Sequence, residues 1–247
     1  MLEKIIGNTP LVKIVVEYSG KIKNVFAKLE YYNFTGSIKD RIAKKIIDKA
    51  YKTGALKKGM PIVEASSGNT GISFAALGAL NGHKVHIFMP ASASVERVKI
   101  LKMYGATVHL VHKGNFELII KKADNFAQKI NGFRPNQFSN ELNALAHYET
   151  TGQEIVDKIK HISTFVCGFG TGGTIMGVGK KIKETFKNAK VIALEPENMT
   201  LLSDSKRFGK HIIEGIGDDF VPSLINKSLI DKNVVINDLD AANMCEI

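Results

Sequence analysis

The chain has 247 residues, 44% of them hydrophobic, which is enough to bury the core of one large domain or two small ones. Its net charge of +10 comes from lysines scattered along helical stretches rather than grouped with aromatic residues, so the charge does not indicate a nucleic-acid-binding protein. No apolar run approaches the roughly 20 residues of a membrane span, and the N-terminus does not resemble a signal peptide. The two cysteines form no CxxC motif, so we expect a cytoplasmic protein without disulfides.

Predicted strands and helices alternate along the chain. The predicted strands are residues 25–30, 61–66, 84–89, 107–111, 164–168, 190–194 and 234–236. The predicted helices are residues 37–53, 71–80, 94–104, 116–130, 144–159 and 174–186, and another helix is expected to begin at Leu239. Ser37 and Asp238 are the predicted N-caps, and Gly54 is the predicted end of the first helix. Strands separated by helices of about 10–15 residues predict βαβ units and parallel sheets.

A polar segment at residues 134–143 divides this pattern into two series. It contains Pro135 and three asparagines, and the pattern on either side of it is regular. At the other end of the second series, the chain stops at Ile247 inside a predicted element without a C-terminal cap. This ending favours the interpretation that the sequence is a truncated domain.

The first candidate for chemistry is Lys39, which falls in the first turn of a predicted helix, directly after a strand and a short loop. The positive end of a helix disfavours another cation, and partial burial lowers the pKa of a lysine. A lysine with a lowered pKa can form a Schiff base with an aldehyde. Taken alone, however, Lys39 is better explained as one surface lysine among many.

Two glycine-containing loops join predicted strands to predicted helices. Residues 66–71 (SSGNTG) place hydroxyl and amide groups at a helix start, which suits a carboxylate, a phosphate or an ordinary turn. Residues 168–174 (GFGTGGT) let the backbone approach a phosphate closely. A nicotinamide dinucleotide is an alternative ligand for the second loop, because Glu195 follows Gly173 by 22 residues at the end of the next strand.

The amine and the two loops together favour one cofactor class over the other. A dehydrogenase has no evident use for Lys39 and for residues 66–71 at the same time. An aldehyde cofactor with a phosphate group uses the amine, the phosphate loop and a site for the substrate carboxylate. The conjunction therefore predicts an enzyme with such a cofactor.

Longer runs of the sequence resemble the cysteine synthase (O-acetylserine sulfhydrylase) and cystathionine β-synthase family of fold-type II pyridoxal-phosphate enzymes. The matching runs are in family order and spacing and cover essentially the whole chain: IGNTPLV at residues 6–12, KLE at 28–30, SIKDR at 37–41, SSGNTG at 66–71, QF at 137–138, GTGGT at 170–174 and EGIG at 214–217. The resemblance implies an α/β fold similar to the tryptophan synthase β-subunit, with two parallel-sheet βαβ domains and the cofactor in the cleft between them. The smaller domain is expected to contain residues 1–10 and 36–143, and the larger one residues 11–35 and 144–247.

The resemblance also implies a role for each matching residue. Lys39 would hold pyridoxal 5'-phosphate as a Schiff base and later move the substrate's α-proton, while Asn69 would contact the ring hydroxyl of the cofactor. The cofactor phosphate would be bound by Gly170, Thr171, Gly172, Gly173 and Thr174. The substrate carboxylate would be received by Ser66, Ser67, Thr70 and Gln137, and Gly215 would line the substrate side.

The implied reaction is loss of a β-substituent from O-acetylserine, serine or cysteine through an aminoacrylate, followed by addition of sulfide or a thiol. Cysteine synthase activity is the first expectation, with cystathionine β-synthase or cysteine desulfhydrase activity as alternatives. Asp218 and Asp219 stand where cysteine synthases carry small residues, and cystathionine β-synthases have an acid at the second position. We therefore expect Asp219 to act as an acid or base, although two solvated loop acids are equally consistent with the sequence.

Several further expectations complete the interpretation. The resemblance implies a homodimer that acts on small molecules, without a nucleic-acid or membrane partner. No metal site is expected, since His109 and His112 are three residues apart on a strand and point to opposite faces. Besides the nicotinamide alternative, a non-catalytic homologue is consistent with the apparent truncation.

Overall fold

The computed structural model describes residues 5–112, 115–203 and 206–245, so the chain end at Ile247 lies outside the described residues. The helices are α1 (Lys39–Thr53), α2 (Asn69–Leu80), α3 (Val95–Met103), α4 (Phe116–Lys129), α5 (Leu142–Ala146), α6 (Gln153–Lys158), α7 (Gly173–Thr185) and α8 (Asp238–Asn243). The strands are β1 (Leu11–Tyr18), β2 (Lys21–Lys28), β3 (Ile62–Ala65), β4 (Val85–Pro90), β5 (Thr107–Val111), β6 (Thr164–Gly168), β7 (Lys190–Pro196), β8 (Met199–Thr200), β9 (Arg207–Phe208) and β10 (Lys232–Ile236).

Two parallel sheets of three strands each form the framework, as the alternating pattern predicts. The first has the strand order β3–β4–β5, and the second has the order β10–β7–β6. Helices α1 and α2 cover one face of the first sheet, and α4 covers the other face with Ile119, Ala123 and Ala127. Gly78 lets α2 lie close to that sheet, because a Cβ atom there would come within 2.4 Å of Val85.

The carboxyl ends of the parallel strands position the loops that carry the candidate site. Strand β3 ends at Ala65 and leads into residues 66–71, while β6 ends at Gly168 and leads into residues 169–172. Side chains for a ligand site in such sheets come from loops at the carboxyl ends of strands. Both glycine-containing loops therefore begin at the carboxyl ends of parallel strands, where a shared ligand site is expected.

One element differs clearly from the sequence prediction. Of the segment predicted as a strand at residues 25–30, only residues 25–28 belong to a strand: they are the second half of β2, which pairs with β1 in an antiparallel hairpin and is followed by a 3-10 turn at Glu30–Tyr32. Ser19 and Gly20 both have positive φ, at 51° and 68°, which suits the two-residue turn of a tight hairpin. β1 was missed because its run LVKIVVEY does not alternate strictly between apolar and polar residues.

Helix ends also needed correction. The N-cap of α1 is Ile38 and has no side-chain cap; Ser37 instead accepts a hydrogen bond at 3.2 Å from the Lys39 amide. The cap of α8 is Asn237, not Asp238. The end of α1 at Gly54 is confirmed, since Gly54 adopts φ 74°.

The helix predicted at residues 144–159 is continuous but changes its winding. A π-helical segment, His147–Gly152, lies between α5 and α6. Here α7 comes very close, because a Cβ atom on Gly177 would lie 2.1 Å from the Ala144 carbonyl oxygen. The wider winding turns His147 and Thr151 inward, where both are buried.

No described helix is long and apolar enough to cross a membrane.

Candidate active site

A cavity of about 230 Å³ lies among the loops that follow β3 and β6. Nine of the residues predicted for the site line it: Lys39, Ser66, Ser67, Asn69, Thr70, Gln137, Gly170, Thr171 and Gly215. Gly172, Gly173 and Thr174 follow Thr171 at the start of α7, whereas Asp219 is absent from the lining and is exposed. The cavity therefore brings together residues that are far apart in the sequence.

Lys39 is the first residue of α1, so its backbone stands at the positive end of the helix dipole. Burial lowers the pKa of its amine, while nearby Cys167 and Asp218 oppose this shift. Burial in turn raises the pKa of the Cys167 thiol to about 11, so that thiol is held neutral. The site thus contains an amine with a lowered pKa in a position open to the cavity.

The two residues after Lys39 fix the start of its helix. The carboxylate of Asp40 accepts two hydrogen bonds from Thr35, at 2.6 Å from the amide and 2.5 Å from the hydroxyl. Arg41 contacts Glu30 at 2.7 Å and Glu154 at 2.6 Å, and its side chain is almost fully buried. The helical turn that carries the Lys39 amine is therefore held in place by the contacts of Asp40 and of Arg41.

The loop at residues 66–71 is stabilised by its own side chains. Ser66 Oγ accepts hydrogen bonds from the amides of Gly71 at 2.9 Å and Gly68 at 3.2 Å, so this hydroxyl organises the loop. Thr70 Oγ1 donates to Gln137 Oε1 at 2.6 Å. Ser67 stays exposed, and with Thr70 it presents hydroxyl groups to the cavity.

A buried ion pair holds Gln137 in place. Glu64 on β3 is fully buried and receives a hydrogen bond of 2.7 Å from Arg134. Its other oxygen accepts from the Gln137 amide at 3.4 Å, and Gln137 Nε2 donates to the Ala65 carbonyl oxygen at 2.9 Å. These contacts fix the amide that in turn accepts from Thr70.

The second loop has the properties of an anion site. Among the described residues, none accepts a hydrogen bond from the amides of Gly170, Thr171 or Gly172, and α7 begins directly after them. The first amides of a helix have no partner within it and favour negative charge. Gly172 has φ 85°, and a Cβ atom at Gly173 would lie 1.8 Å from Asn143 Oδ1, so neither position has room for a side chain.

Two residues behind this loop were missed by the sequence analysis. Asn143 donates to the Gln137 carbonyl oxygen at 2.9 Å and to Thr171 Oγ1 at 3.0 Å, so it ties the substrate-side residue to the glycine loop. Its Oδ1 is buried and has no partner among the described residues. His147 lies 3.3 Å from Thr174 Oγ1, and burial, with Lys39 and Arg41 nearby, holds its pKa well below the usual range.

The two adjacent aspartates have different surroundings. Asp218 lines the cavity, and its burial together with the neighbouring Asp219 raises its pKa to about 6, against the effect of Lys39 and His211. Asp219 is exposed, and its carboxylate accepts a hydrogen bond of 3.3 Å from the Phe116 amide. The geometry therefore gives Asp218, rather than Asp219, access to the cavity.

The cavity lining also includes Arg97 and His211, which the sequence did not indicate, and Glu214, which belongs to the matching run EGIG but was given no role. Arg97 on α3 forms an ion pair with Glu214. His211 Nε2 lies 3.3 Å from the Gly217 carbonyl oxygen. No short motif distinguishes Arg97 and His211, but His211 lies three residues before the matching run EGIG at residues 214–217.

Glu195 does not support the nicotinamide alternative. It is 1% exposed, and it accepts hydrogen bonds from the amides of Leu201 at 2.5 Å, Leu202 at 2.7 Å and Ser203 at 3.1 Å. The Ser203 hydroxyl also donates to it at 2.6 Å. The Glu195 carboxylate accepts all these hydrogen bonds and thereby fixes the turn after β7. It therefore offers no free acceptor to the hydroxyl groups of a ribose.

Comparison with known proteins agrees with this geometry. A family model described as "Pyridoxal-phosphate dependent enzyme" matches residues 2–247. A cysteine synthase of Staphylococcus aureus is 39% identical over an alignment of 246 positions, and this alignment covers 98% of this chain and 79% of the relative.

Solved structures agree in fold. A hydrogen sulfide-producing enzyme from Fusobacterium nucleatum is 46% identical, with a TM-score of 0.93 over 97% of this chain and 74% of that protein. An O-acetylserine sulfhydrylase isoform from Entamoeba histolytica is 37% identical, with a TM-score of 0.92 over the whole of this chain and 75% of that protein. The expected fold class and the resemblance to this family are confirmed. With its two parallel sheets, its cavity-lining lysine and a family match over nearly every residue, the chain belongs to the pyridoxal-phosphate-dependent enzymes related to cysteine synthases, and pyridoxal phosphate is its cofactor.

Proposed function

We propose that the chain catalyses β-replacement or β-elimination on a serine-like amino acid, with cysteine synthase-type chemistry on O-acetylserine, serine or cysteine. The observation that carries the proposal is that Lys39 lines one cavity together with residues 66–70 of the first glycine-containing loop and with Gly170 and Thr171 of the second. The lowered pKa of Lys39 supports a role as the amine that holds the cofactor and moves the α-proton.

The residues present fit the cofactor. The glycine loop offers amides without partners and the first turn of α7 for the phosphate group, and the lack of side chains at Gly172 and Gly173 leaves the backbone accessible. Asn69, at the start of α2, is exposed to the cavity and can contact the ring. When bound, the cofactor supplies an electron sink for the substrate's Cα, and the protein supplies orientation and proton transfer.

The proposed binding site for the substrate carboxylate is separate from the proposed site for the cofactor phosphate. Ser67 and Thr70 present hydroxyls beside the amides at the start of α2, and Gln137 is held firmly enough to orient Thr70. Ser66 is proposed here to shape the loop, because its hydroxyl is already engaged by two backbone amides. Gly215 also lines the cavity, and no atom of a described residue lies within 4 Å of a Cβ position there, so it leaves space for the reacting side chain.

Asp218 is proposed as the acid or base that serves the leaving group and the nucleophile. The resemblance to cystathionine β-synthase assigns this role to Asp219, and that assignment stays a prediction. Because Asp218 lines the cavity and has a pKa raised to about 6, it can hold a proton or accept one near neutral pH. The exposed carboxylate of Asp219 contacts the start of α4 instead.

A second candidate function is release of sulfide from cysteine without a thiol acceptor. The specific observation in its favour is the cavity-lining carboxylate of Asp218, which could activate water in place of a thiol. The relative from Fusobacterium nucleatum is described as hydrogen sulfide-producing, and the one from Entamoeba histolytica as an O-acetylserine sulfhydrylase. Both directions of sulfur chemistry therefore occur among similar proteins.

The deciding experiment is a product profile of the purified, cofactor-loaded protein with O-acetylserine, serine and cysteine, each with and without sulfide. Cysteine formed from O-acetylserine and sulfide supports the first function, and sulfide released from cysteine alone supports the second. Borohydride reduction followed by mass spectrometry should locate the cofactor on Lys39, and Lys39→Ala should bind it only non-covalently. A covalent adduct on another lysine would contradict the assignment of Lys39.

A further inference from the structure

A buried histidine connects the π-helical segment to the first turn of α7. His147 is 1% exposed and Thr151 is 3% exposed, so both side chains are shielded from water. The ring atom Nδ1 of His147 lies 2.9 Å from Thr151 Oγ1, and its Nε2 lies 3.3 Å from Thr174 Oγ1. The three side chains therefore form one line of hydrogen bonds, which ends in the glycine loop at residues 170–174.

Two glycines keep the π-helical segment close to α7. A Cβ atom on Gly177 would lie 2.8 Å from His147 Cβ, and one on Gly152 would lie 2.9 Å from Lys181 Cβ. Side chains at these two positions would separate the helices and lengthen the contact between His147 and Thr174. The close packing therefore preserves the line of hydrogen bonds.

The hydrogens of this line can point in one of two directions. Burial, with Lys39 and Arg41 nearby, holds the pKa of His147 well below its usual range, so the ring is neutral at physiological pH. A neutral imidazole has one nitrogen that donates and one that accepts. Either Thr151 donates to Nδ1 and Nε2 donates to Thr174, or both hydrogen bonds run the other way.

The surroundings of Thr151 favour the first direction. Among the described residues, Thr151 Oγ1 forms a hydrogen bond with His147 alone. The neighbouring Thr150 hydroxyl differs, since it donates to the Ala146 carbonyl oxygen at 2.7 Å. If Nδ1 carried the ring hydrogen, the Thr151 hydroxyl would be a buried donor without an acceptor, which is unfavourable. Thr151 therefore donates to Nδ1, and Nε2 carries the ring hydrogen.

This direction determines what the Thr174 hydroxyl can do. Because Thr174 Oγ1 accepts from Nε2, its own hydrogen is not used by the ring and can be donated to an anion. In the opposite direction Thr174 would donate to the ring, and no hydroxyl hydrogen would remain for a ligand. A hydroxyl donor at this position adds to the backbone amides of Gly170, Thr171 and Gly172, which have no acceptor among the described residues.

We infer that His147 and Thr151 are positioning residues for the cofactor phosphate, because they hold Thr174 Oγ1 as an acceptor toward the ring and so direct its hydrogen to the phosphate. This inference rests on the proposed phosphate site at residues 170–174. Neither residue contacts the phosphate in this arrangement, and both act through Thr174. Hydrogen bonds in a line polarise one another, so the Thr174 hydroxyl is also a stronger donor than an isolated hydroxyl.

The test compares the binding of pyridoxal 5'-phosphate and of pyridoxal, which lacks the phosphate group, to the full chain freed of cofactor. The ratio of the two affinities, measured by equilibrium absorbance titration, isolates the contribution of the phosphate. Thr174→Val removes the proposed donor, so the ratio should fall about tenfold or more, as expected for loss of a hydrogen bond to a charged group. Thr151→Val leaves the donor without its fixed direction, so the ratio should fall about threefold or more, in the range of a neutral hydrogen bond. Thr151→Ser keeps the hydroxyl and should keep the ratio.

Two further comparisons separate positioning from folding. Thr150→Val is the matched control, because Thr150 is the adjacent threonine and its hydroxyl bonds to its own helix, so the ratio should not change. In the double variant Thr151→Val, Thr174→Val, the ratio should be no lower than in Thr174→Val alone, since Thr151 acts only through the Thr174 hydroxyl.

A second pair of variants serves if Thr151→Val does not fold. His147→Gln provides a side-chain amide that can still donate to Thr174, whereas His147→Met has a similar length and no donor. The affinity ratio should therefore stay higher for His147→Gln than for His147→Met. Equal ratios for the two variants would count against a role of the ring hydrogen.

Three other results would overturn the inference. Equal losses of affinity for pyridoxal and its phosphate in Thr151→Val would leave His147 and Thr151 with a structural role only. Additive losses in the double variant would show that Thr151 does not act through Thr174. An unchanged ratio in Thr174→Val would move the phosphate away from this hydroxyl and would contradict the proposed phosphate site as well. The product profile tests the proposed reaction separately, so failure of the inference leaves that proposal intact.

Discussion

The carboxylate of Asp218 lies directly over Gly170, where a Cβ atom on the glycine would approach its Oδ2 to 3.2 Å. The glycine therefore does more than expose its amide, since it also leaves the space that Asp218 occupies above the loop. This contact places an ionisable group at the junction of the proposed phosphate loop and the substrate side. Its protonation state is expected to govern the reaction.

The first prediction concerns the pH dependence of that reaction. The pKa of Asp218 is raised to about 6, so its carboxylate is protonated below that pH and becomes available as a base above it. With cysteine as donor, where Asp218 would act as the base on water, kcat should rise with pH through about 6; with serine, whose hydroxyl group leaves only with a proton, kcat should fall over the same range. Asp218→Asn should remove this limb and lower kcat by roughly a hundredfold, a typical contribution of general acid–base catalysis.

The control for this prediction is Asp219→Asn, which removes the neighbouring charge outside the cavity. Because Asp219 raises the pKa of Asp218, its removal should shift the ascending limb to lower pH with little loss of activity at pH 8. O-acetylserine provides a second comparison, because acetate leaves without a proton. A larger loss for Asp219→Asn than for Asp218→Asn would return the role to Asp219, as the family resemblance implies.

The second prediction concerns Gly173, which has no room for a methyl group. A Cβ atom there would overlap Asn143 Oδ1 at 1.8 Å, so Gly173→Ala should displace the side chain that links Gln137 to Thr171. We expect a loss of roughly 1–3 kcal/mol in the free energy of unfolding and much weaker cofactor binding. Denaturant unfolding and the cofactor's absorbance measure the two effects.

Asn143→Ala provides the companion variant, since it removes the atoms with which the new methyl group would collide. The double variant should recover part of the stability lost by Gly173→Ala, and the two substitutions should therefore not be additive. Additive losses would show that the collision at Asn143 does not cause the effect.

The third prediction concerns Thr174, which follows the glycine loop in the first turn of α7. Its hydroxyl lies 3.3 Å from His147 and is proposed to turn toward the cofactor phosphate. Hydrogen bonds to charged groups contribute about 1.5–3 kcal/mol, so Thr174→Val should weaken cofactor affinity at least tenfold with little change in the unfolding of the cofactor-free protein. Unchanged affinity in an equilibrium titration would place the phosphate elsewhere.

The fourth prediction concerns the ion cluster behind Lys39. Arg41 is nearly buried between Glu30 and Glu154, so Arg41→Met leaves two carboxylates without their main cation and should cost about 3–5 kcal/mol. Denaturant unfolding measures the loss, and the matched control is Lys44→Met, since Lys44 lies on the same helix in a more exposed pair. A loss for Arg41→Met no larger than the control's would remove the cluster's structural role.

The same cluster predicts how stability responds to acid. Hydrogen bonds from Arg41, Lys28 and the Asn8 amide lower the pKa of Glu154 to about 2, although burial opposes them. A carboxyl group with a lowered pKa in the folded state stabilises the fold at neutral pH, and this contribution is lost as the pH falls from about 4.5 toward 2. Unfolding measured over this range should be less pH-dependent for Glu154→Gln than for the unaltered chain.

Much of the framework could be predicted because helices and strands alternate with clear turn signals. The parallel strands, the loops at their carboxyl ends and the position of Lys39 at a helix start all follow from local patterns. The hairpin was missed because its first strand, β1, carries only Lys13 and Glu17 among apolar residues and shows no strict alternation, so the local pattern did not reveal its pairing with β2. Local periodicity therefore predicted the elements better than their partners.

In the candidate site, too, the features that depend on local sequence could be predicted, whereas those that depend on distant contacts could not. Motifs predicted the loop residues that line the cavity, but Asn143 and His147 act through contacts with residues 28 and 27 positions away, at Thr171 and Thr174. The choice between Asp218 and Asp219 also depends on tertiary structure, because the two are adjacent and chemically identical. Tertiary contacts distinguish them, because Asp218 lines the cavity beside Gly170 and Asp219 is exposed and contacts the Phe116 amide.

The start of α1 has a consequence for any attempt to transplant this chemistry. Lys39, Asp40 and Arg41 are consecutive, yet they point to the cavity, to Thr35 and to the Glu30–Glu154 cluster respectively. Contacts in three different directions therefore fix the position of the amine. The run SIKDR would therefore not be sufficient if it were grafted onto another helix. The graft would carry the amine, but it would lack the contacts that hold the amine in position.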